Sequence, residues 1–423
     1  MAKKKLNIAV IGSGVAGLTA AYILNRKHNV TVFEKNDYAG GHTHTIVIDK
    51  GPDKGTPVDT GFIVMNHANY PLFTRLLSQL GVALRDSDMS FGYHCEETGL
   101  QYSSRGLSGL YAQKGNIVSP KFQRMVYDLL RFYKHAKSDL ETGTAAKLTL
   151  GEYLKEKKFS DIFLTHHILP MGSAIWSTPD DEMMDFPADS FFRFFNNHKL
   201  LSLTGQHVWR TVMGGSHSYV KALRETLKKD VLVNSAVKSL KRTKGAVKIK
   251  AEGRKEETFD IVVVAAHADE ALKLLADPTA EEKRLLGAWR YQKNRTVLHT
   301  DETLMPTNKN AMASWNFIRS MGKEKGSPLT LTYHMNRLQG LKTVNQYYVT
   351  LNSVKKIPKD KIIASMDYYH PTYTFKSMNT QKELHKLNGV NGTYFCGSYF
   401  GYGFHEDAVR SGVDVAKLLG CDL

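Results

Sequence analysis

Between Ile8 and Lys35 the spacing of apolar and polar positions changes twice. Ile8, Ala9, Val10 and Ile11 form an unbroken apolar run, the signature of a strand buried on both faces. Leu18, Ala21, Tyr22 and Leu24 then recur at helical spacing, and Val30, Val32 and Phe33 alternate into a second strand that ends at Glu34. The stretch "VNSAVKSLKRTKGAVKIKAEGRKEETFDIVVVAA" (233–266) alternates like successive strands and closes on a buried run that returns to the first sheet. "GTYFCGSYFGYGFHEDAVRSGVDVAKLLG" (392–420) reads as strand, glycine-rich turn and helix. That helix begins near Phe404 and buries Ala408, Val409, Gly412, Val415, Ala416 and Leu419. "GGSHSYVKALRETLKK" (214–229) reads as a turn feeding a helix back to the same unit. Residues 69–213 read as largely helical, and 299–366 carry strand-like runs such as "SPLTLTYHM" and "VNQYYVTL". The pattern predicts a discontinuous α/β domain (residues 1–66, 214–276 and 389–423) with an inserted α+β domain (67–213 and 277–388).

The turn between the first strand and helix is Gly12-Ser13-Gly14-Val15-Ala16-Gly17. In a βαβ unit, Gly12 permits the tight turn, Gly14 lets the backbone approach a pyrophosphate, and Gly17 lets the helix pack on the strand. The helix N-terminus then faces the phosphates, and Glu34 is placed to bind an adenosine ribose. The unit is therefore a Rossmann-type dinucleotide site. A second glycine pair, Gly40-Gly41 in "DYAGGHTHT", the strands after Val233 and the C-terminal glycine–helix segment favour FAD over NAD. A helix N-terminus near Phe404 would stabilise negative charge on a reduced flavin.

At these residues the chain resembles the flavin amine-oxidase superfamily, which also contains phytoene desaturases and protoporphyrinogen oxidases. The resemblance implies that Gly12, Ser13, Gly14, Ala16, Gly17, Glu34, Lys35, Gly41, His42, Thr43, Gly61, Val237, Ser398, Gly403, Phe404 and His405 contact FAD, Val237 through its backbone against the adenine. Two positions depart from the family pattern. His42 stands where an arginine commonly follows the glycine pair, and Ser398 where an acidic residue is usual. "VDTGFIVMNHANYPLF", "AIWSTPDDEMMDFPADSFFRFFNNHKLL", "TYHMNRLQGL" and "GYGFHEDAVRSG" look like a bacterial subfamily similar to the flavoprotein portion of plant cyclopropane fatty-acid synthases. This narrower resemblance implies a desaturase or dehydrogenase of modified fatty-acyl chains, carried in phospholipid, with a fatty-acyl methyltransferase as a possible partner. The alternatives are an amine oxidase, a carotenoid-type desaturase or isomerase, and a flavin-bound partner protein without chemistry of its own.

An acyl chain needs an apolar tunnel, and the aromatic residues Trp176, Phe191, Phe194, Phe195 and Trp315, with His334, are the candidates to line it. FAD carries out hydride transfer itself, so the protein need only position a C–H bond and supply a base. His405 is the first candidate for that base and Glu406 the second; capping or packing is the competing role for His405. No metal-ligand spacing, nucleophile–base pair or second nucleotide fingerprint is visible.

Composition adds less. The 423 residues are 42% hydrophobic, enough for more than one core, and no run of eighteen apolar residues is present. The opening "MAKKKLNIAVIG" imitates a signal peptide, but its apolar stretch is the first strand. The three cysteines, Cys95, Cys396 and Cys421, are too scattered for a disulfide framework and suggest a cytoplasmic protein. The net charge of +16 fits a lysine-rich surface or peripheral contact with an anionic membrane. No nucleic-acid module accompanies it. The helix from Lys121 sets Phe122, Met125, Val126, Leu129, Leu130 and Tyr133 on one face, with Arg124, Arg131, Lys134 and Lys137 off it. It reads as a core-facing helix or as a basic helix on lipid.

Overall fold

The computed structural model describes residues 5–320 and 330–423. Four parallel strands form the first sheet, in the order Thr393–Phe395, Ile261–Val264, Asn7–Ile11, Asn29–Phe33. Three separate stretches of chain therefore meet in one sheet. Ile8, Ala9, Val10, Val262, Val263 and Val264 are completely buried, as a parallel sheet covered on both faces requires. The helices Val15–Leu24 and His405–Leu418 pack against each other so closely that a Cβ on Gly412 would come within 2.5 Å of the Ala16 carbonyl oxygen. The alternating run after Val233 becomes a three-stranded antiparallel sheet of Glu257–Phe259, Ala246–Ala251 and Val237–Thr243.

The second large sheet is mixed and has seven strands. Its order is Ile362–Thr372, Arg290–His299, Tyr348–Leu351, Thr330–His334, Trp315–Arg319, Phe91–Cys95, Gln101–Ser103. Two of these strands, Phe91–Cys95 and Gln101–Ser103, fall in the stretch that reads as largely helical. They are too short to show a period of their own and are held by pairing with each other and with Trp315–Arg319. Of "SPLTLTYHM", the first three residues lie outside the described residues; the remainder forms Thr330–His334 and the start of the next helix. Pairing of Tyr93 with Tyr102, and of Trp315 with both Phe91 and Tyr333, puts these side chains on one face. A helical layer covers that face.

The longest helix of the layer, Pro120–Thr142, starts at a Ser119 cap with Pro120 in its first turn and stops at Gly143 with φ 72°. It buries Phe122, Met125, Phe132 and Ala136. Arg124 and Arg131 are not free basic residues: both pair with the buried Asp128, at 3.0 and 2.6 Å. Of the five lysines and arginines on this helix, Lys121, Lys134 and Lys137 remain to meet an outside surface. No helix among the described residues is long and apolar enough to cross a membrane.

Candidate functional site

A single cavity of about 1480 Å³ runs from the glycine turn to the helical layer. Ligand pockets commonly hold about 300–1,000 Å³, so this one has room for a cofactor and a second molecule.

Its first end is built from backbone. Gly12 has φ +99°, and a Cβ there would lie 2.5 Å from the Ala265 carbonyl oxygen. A Cβ on Gly17 would lie 2.0 Å from the Gly12 oxygen, whereas one on Gly14 would meet nothing within 4 Å. Gly17 thus serves packing, and Gly14 opens onto the cavity at the N-terminus of Val15–Leu24. Gly12, Ala16, Glu34, Lys35, Gly41, His42, Gly61, Val237, Ser398, Gly403, Phe404 and His405 also line the wall.

Three expected contacts lie behind the wall. The Ser13 N–H and hydroxyl both donate to Glu34, at 2.9 and 2.6 Å, so Ser13 holds that carboxylate and does not face a phosphate. Gly17 is enclosed by Gly12 and Ala265. Thr43 is buried, with its hydroxyl turned to Tyr219 and His405. The wall itself has what a bound dinucleotide needs: open space over Gly14, a helix N-terminus, and a carboxylate at the end of the second strand. His42 adds a buried Nε2 with no hydrogen-bond partner among the described residues. These features fit FAD.

Past the glycine pair, histidines and tyrosines crowd one wall. His42 lies 5.4 Å from His370 and 5.0 Å from Tyr368, ring centre to ring centre. His267 stacks on Tyr291 at 4.2 Å. Asn294 donates its amide N–H to His370 Nδ1 at 3.0 Å, and its amide oxygen accepts from Asn352 at 2.7 Å. The His370 proton therefore sits on Nε2, making this ring a donor. Burial pushes the His370 pKa down to about 4. None of His267, Tyr291, Tyr368 and His370 stands out in the sequence. "MDYYHPT" carries no mark beyond alternation, and its importance appears only when the strand Ile362–Thr372 reaches the cavity.

His405 stacks on Phe62 at 3.7 Å, and its Nε2 lies 2.9 Å from the Tyr219 hydroxyl and 3.1 Å from that of Thr43. Burial pushes its pKa down to about 3, so the ring is neutral at neutral pH and supplies no cationic charge. Glu406 is displaced from the expected role. Its carboxylate accepts from the backbone N–H groups of Leu72 and Phe73, at 3.1 and 3.0 Å, and so caps the helix Pro71–Gln79. One helical step of about 100° separates it from His405 and turns it away from the cavity.

The aromatic candidates divide. Trp176, Phe194 and Trp315 line the cavity, and Phe194 stacks on Phe404 at 4.8 Å. Phe191 and Phe195 are buried in the helical layer, stacked on each other at 4.1 Å. They lie one helical turn apart and face the core that Phe194 turns from. His334 is also off the wall. Its neighbour Tyr333 takes the cavity side of the strand, so alternation sends His334 to the opposite face, where Nε2 meets Gln346 at 2.8 Å.

At its other end the cavity reaches Tyr102, Met125, Leu129, Tyr133, His167 and Ile175 and opens past Leu107, Leu130, Leu203 and Val208. These last four are large apolar side chains exposed to solvent.

Comparison with known proteins agrees with this geometry. Residues 15–419 match the family model of flavin containing amine oxidoreductases. A 1-hydroxycarotenoid 3,4-desaturase from Flavobacterium sp. (strain P99-3) is 37% identical over 101 residues, 22% of this chain and 17% of the relative. A tryptophan 2-monooxygenase from Allorhizobium ampelinum is 30% identical over 162 residues, 37% of this chain and 21% of the relative. The matches thus span about a fifth of these curated relatives. Among solved structures, a CLA-producing fatty acid isomerase from P. acnes superposes with TM-score 0.70 at 15% identity, covering 98% of both chains. Putrescine oxidase bound to putrescine gives 0.71 at 14%, covering 98% of this chain and 99% of that one. Both share the fold. The chain belongs to the family of flavin-containing amine oxidoreductases.

Proposed function

We propose that the protein oxidises modified fatty-acyl chains, methylated or unsaturated, as a desaturase or dehydrogenase whose substrate is linked to phospholipid. The observation that carries this reading is the continuous cavity, which passes from the cofactor wall between aromatic side chains to a mouth rimmed by exposed Leu107, Leu130, Leu203 and Val208. A long apolar chain can enter there and lie with one bond beside Phe194, Phe404 and His405. An amine fits less well. Among the described residues, the carboxylates on the cavity wall are Glu34, Glu270 and Asp367. Glu34 is held by Ser13 and Asn36, Glu270 pairs with Lys35 at 2.7 Å, and Asp367 pairs with Lys293 at 2.8 Å. A cationic substrate would find no free counter-charge among them. One structural neighbour is named for a fatty acid and one curated relative for a hydroxycarotenoid, which adds weight to a long apolar substrate.

FAD supplies the two-electron acceptor when bound. The chain's own residues do the rest. Gly12, Gly14 and the N-terminus of Val15–Leu24 bind the pyrophosphate, Glu34 the ribose, and the Val237 backbone the adenine. Phe194, Phe404 and Trp176 exclude water and fix the acyl chain. His405, neutral and held by Tyr219 and Thr43, orients the turn that begins His405–Leu418. The narrower kinship with the flavoprotein portion of cyclopropane fatty-acid synthases, and a fatty-acyl methyltransferase as partner, belong to the same proposal.

The test is anaerobic addition of methylated and unsaturated phospholipids, of their free acids, and of putrescine to the yellow protein. Loss of flavin absorbance with the acyl compounds supports the reading. Loss with putrescine alone overturns it in favour of an amine oxidase, and loss with none of them favours a flavin-bound partner protein.

A further inference from the structure

His167 lies in a π-turn, Leu164–Ile168, inserted between the short helix Asp161–Phe163 and the helix Leu169–Trp176. Such turns carry one extra residue and occur frequently at functional sites. The ring is buried and forms part of the cavity wall beside Tyr102 and Tyr133. Tyr102 belongs to the outermost strand of the seven-stranded sheet, at the opposite edge from the strand that carries His370. Six inter-strand steps of about 4.8 Å put the two edges roughly 29 Å apart.

The hydrogen bonds fix the tautomer of His167. The Tyr102 hydroxyl has one hydrogen, and its oxygen lies 2.7 Å from the His166 carbonyl oxygen, which can only accept. The same hydroxyl oxygen lies 2.9 Å from His167 Nδ1. With the hydroxyl hydrogen already used, Nδ1 must carry a proton and donate it. Nε2 is then an acceptor without a partner among the described residues, on a wall it shares with Met125, Leu129 and Ile175. Burial pushes the ring's pKa down to about 4, which keeps it neutral. The Tyr133 hydroxyl, on the same wall, has no hydrogen-bond partner among the described residues. One group that could accept and one that could donate therefore line the same cavity, with Tyr133 near enough to Tyr102 to act on it electrostatically.

We infer that this end of the cavity is a hydroxyl subsite: His167 Nε2 accepts from, and Tyr133 donates to, a hydroxyl carried on the ligand's apolar chain far from the bond that is oxidised. Tyr102 is the positioning residue, since it sets which His167 nitrogen is bare. A carboxylate does not suit the subsite, because two acceptors would face each other. The inference rests on the acyl-chain reading and names the substituent that reading leaves open.

Calorimetric titration of the FAD-loaded protein with stearic acid and with its mid-chain and terminal hydroxy derivatives tests it. At least one hydroxy derivative should bind about tenfold more tightly than stearic acid, the effect of one well-made hydrogen bond. His167→Phe and Tyr133→Phe should each collapse that ratio. Tyr102→Phe should reduce it while both partner residues remain. Equal affinity for all the chains in the unaltered protein overturns the subsite and leaves the acyl reading standing. A ratio that survives His167→Phe places the hydroxyl elsewhere and also overturns it. Failure of every chain to bind overturns the subsite, while the anaerobic titration with phospholipids decides the acyl reading.

Discussion

The two ends of the cavity are made of different material. At the cofactor end the decisive positions are glycines: Gly12 and Gly17 would collide with backbone oxygens if they carried a Cβ, and Gly14 would not. At the far end the wall is side chains, Tyr102, Tyr133, His167 and Ile175, brought from separate elements. The hydrogen-bonding sense differs as well. His370 presents a donor at one end and His167 an acceptor at the other. A backbone site is specified locally and suits a ligand shared by many enzymes. A side-chain site is assembled by the whole fold and can be retuned by one substitution.

The largest expected effects separate positions within the glycine turn. Gly14→Val should leave a folded protein with its flavin content reduced at least a hundredfold, because the new side chain enters the cavity while the backbone has room. Gly17→Ala should instead cost solubility or lower the melting temperature, since its Cβ would sit 2.0 Å from the Gly12 oxygen. Flavin-to-protein absorbance ratios and thermal melts read both. A folded Gly14→Val protein with normal flavin, or a Gly17→Ala protein as stable as its parent, would erase the distinction.

Next in size is the acid response of the buried histidines. His167 and His370 are held down to about 4 and His405 to about 3, all by burial, against about 6.5 in an unfolded chain. Between these limits the unfolded state binds protons that the native state refuses. Stability is therefore intact above about pH 6.5 and falls as pH drops toward 4, by on the order of 2 kcal/mol per histidine at pH 5. Urea midpoints taken from pH 7 to pH 5 should drop. His405→Gln should flatten part of the slope, and a flat profile in the unaltered protein would contradict neutral burial. His405→Ala should lower the melting point as well, because it empties the space against Phe62 and leaves Tyr219 short of a partner. Unchanged stability with flavin reduction slowed about a hundredfold would restore His405 to acid–base chemistry.

The smallest effects concern the mouth. Because Asp128 already holds Arg124 and Arg131, binding to anionic vesicles should depend on Lys121, Lys134 and Lys137 by only about 1 kcal/mol each. Leu107→Asp and Leu203→Asp should weaken flotation with neutral and anionic vesicles alike. Recovery that follows charge alone would favour a purely electrostatic surface over an apolar rim.

The same contrast explains what the sequence disclosed. The glycine turn, the flanking strand and helix, and Glu34 are contiguous, so their meaning survives without the fold. The same holds for the helix from His405. The phenylalanine cluster pointed to the right helix, but only its phase against the core shows that Phe194 meets the cavity and Phe191 and Phe195 do not. In "TYHMN" alternation guarantees that Tyr333 and His334 face opposite ways without saying which faces the cavity. Glu406 looked chemical because it follows His405, yet its partners Leu72 and Phe73 are more than three hundred residues away in sequence. His167 carries no mark in the sequence, since its role depends on a one-residue excess in a helix and on a tyrosine from another strand.

The first sheet has a consequence for synthesis on the ribosome. Its strands leave the ribosome in the order Asn7–Ile11, Asn29–Phe33, Ile261–Val264, Thr393–Phe395, and the central strand finds its second neighbour only after about 250 further residues. At roughly 5–20 residues per second, the nascent chain holds a half-built glycine site with an open strand edge for tens of seconds. The helix His405–Leu418, which packs against the first helix, emerges after all four strands. Flavin capture is then a late event in the life of the chain, and chaperone occupancy should peak before the C-terminal segment is released.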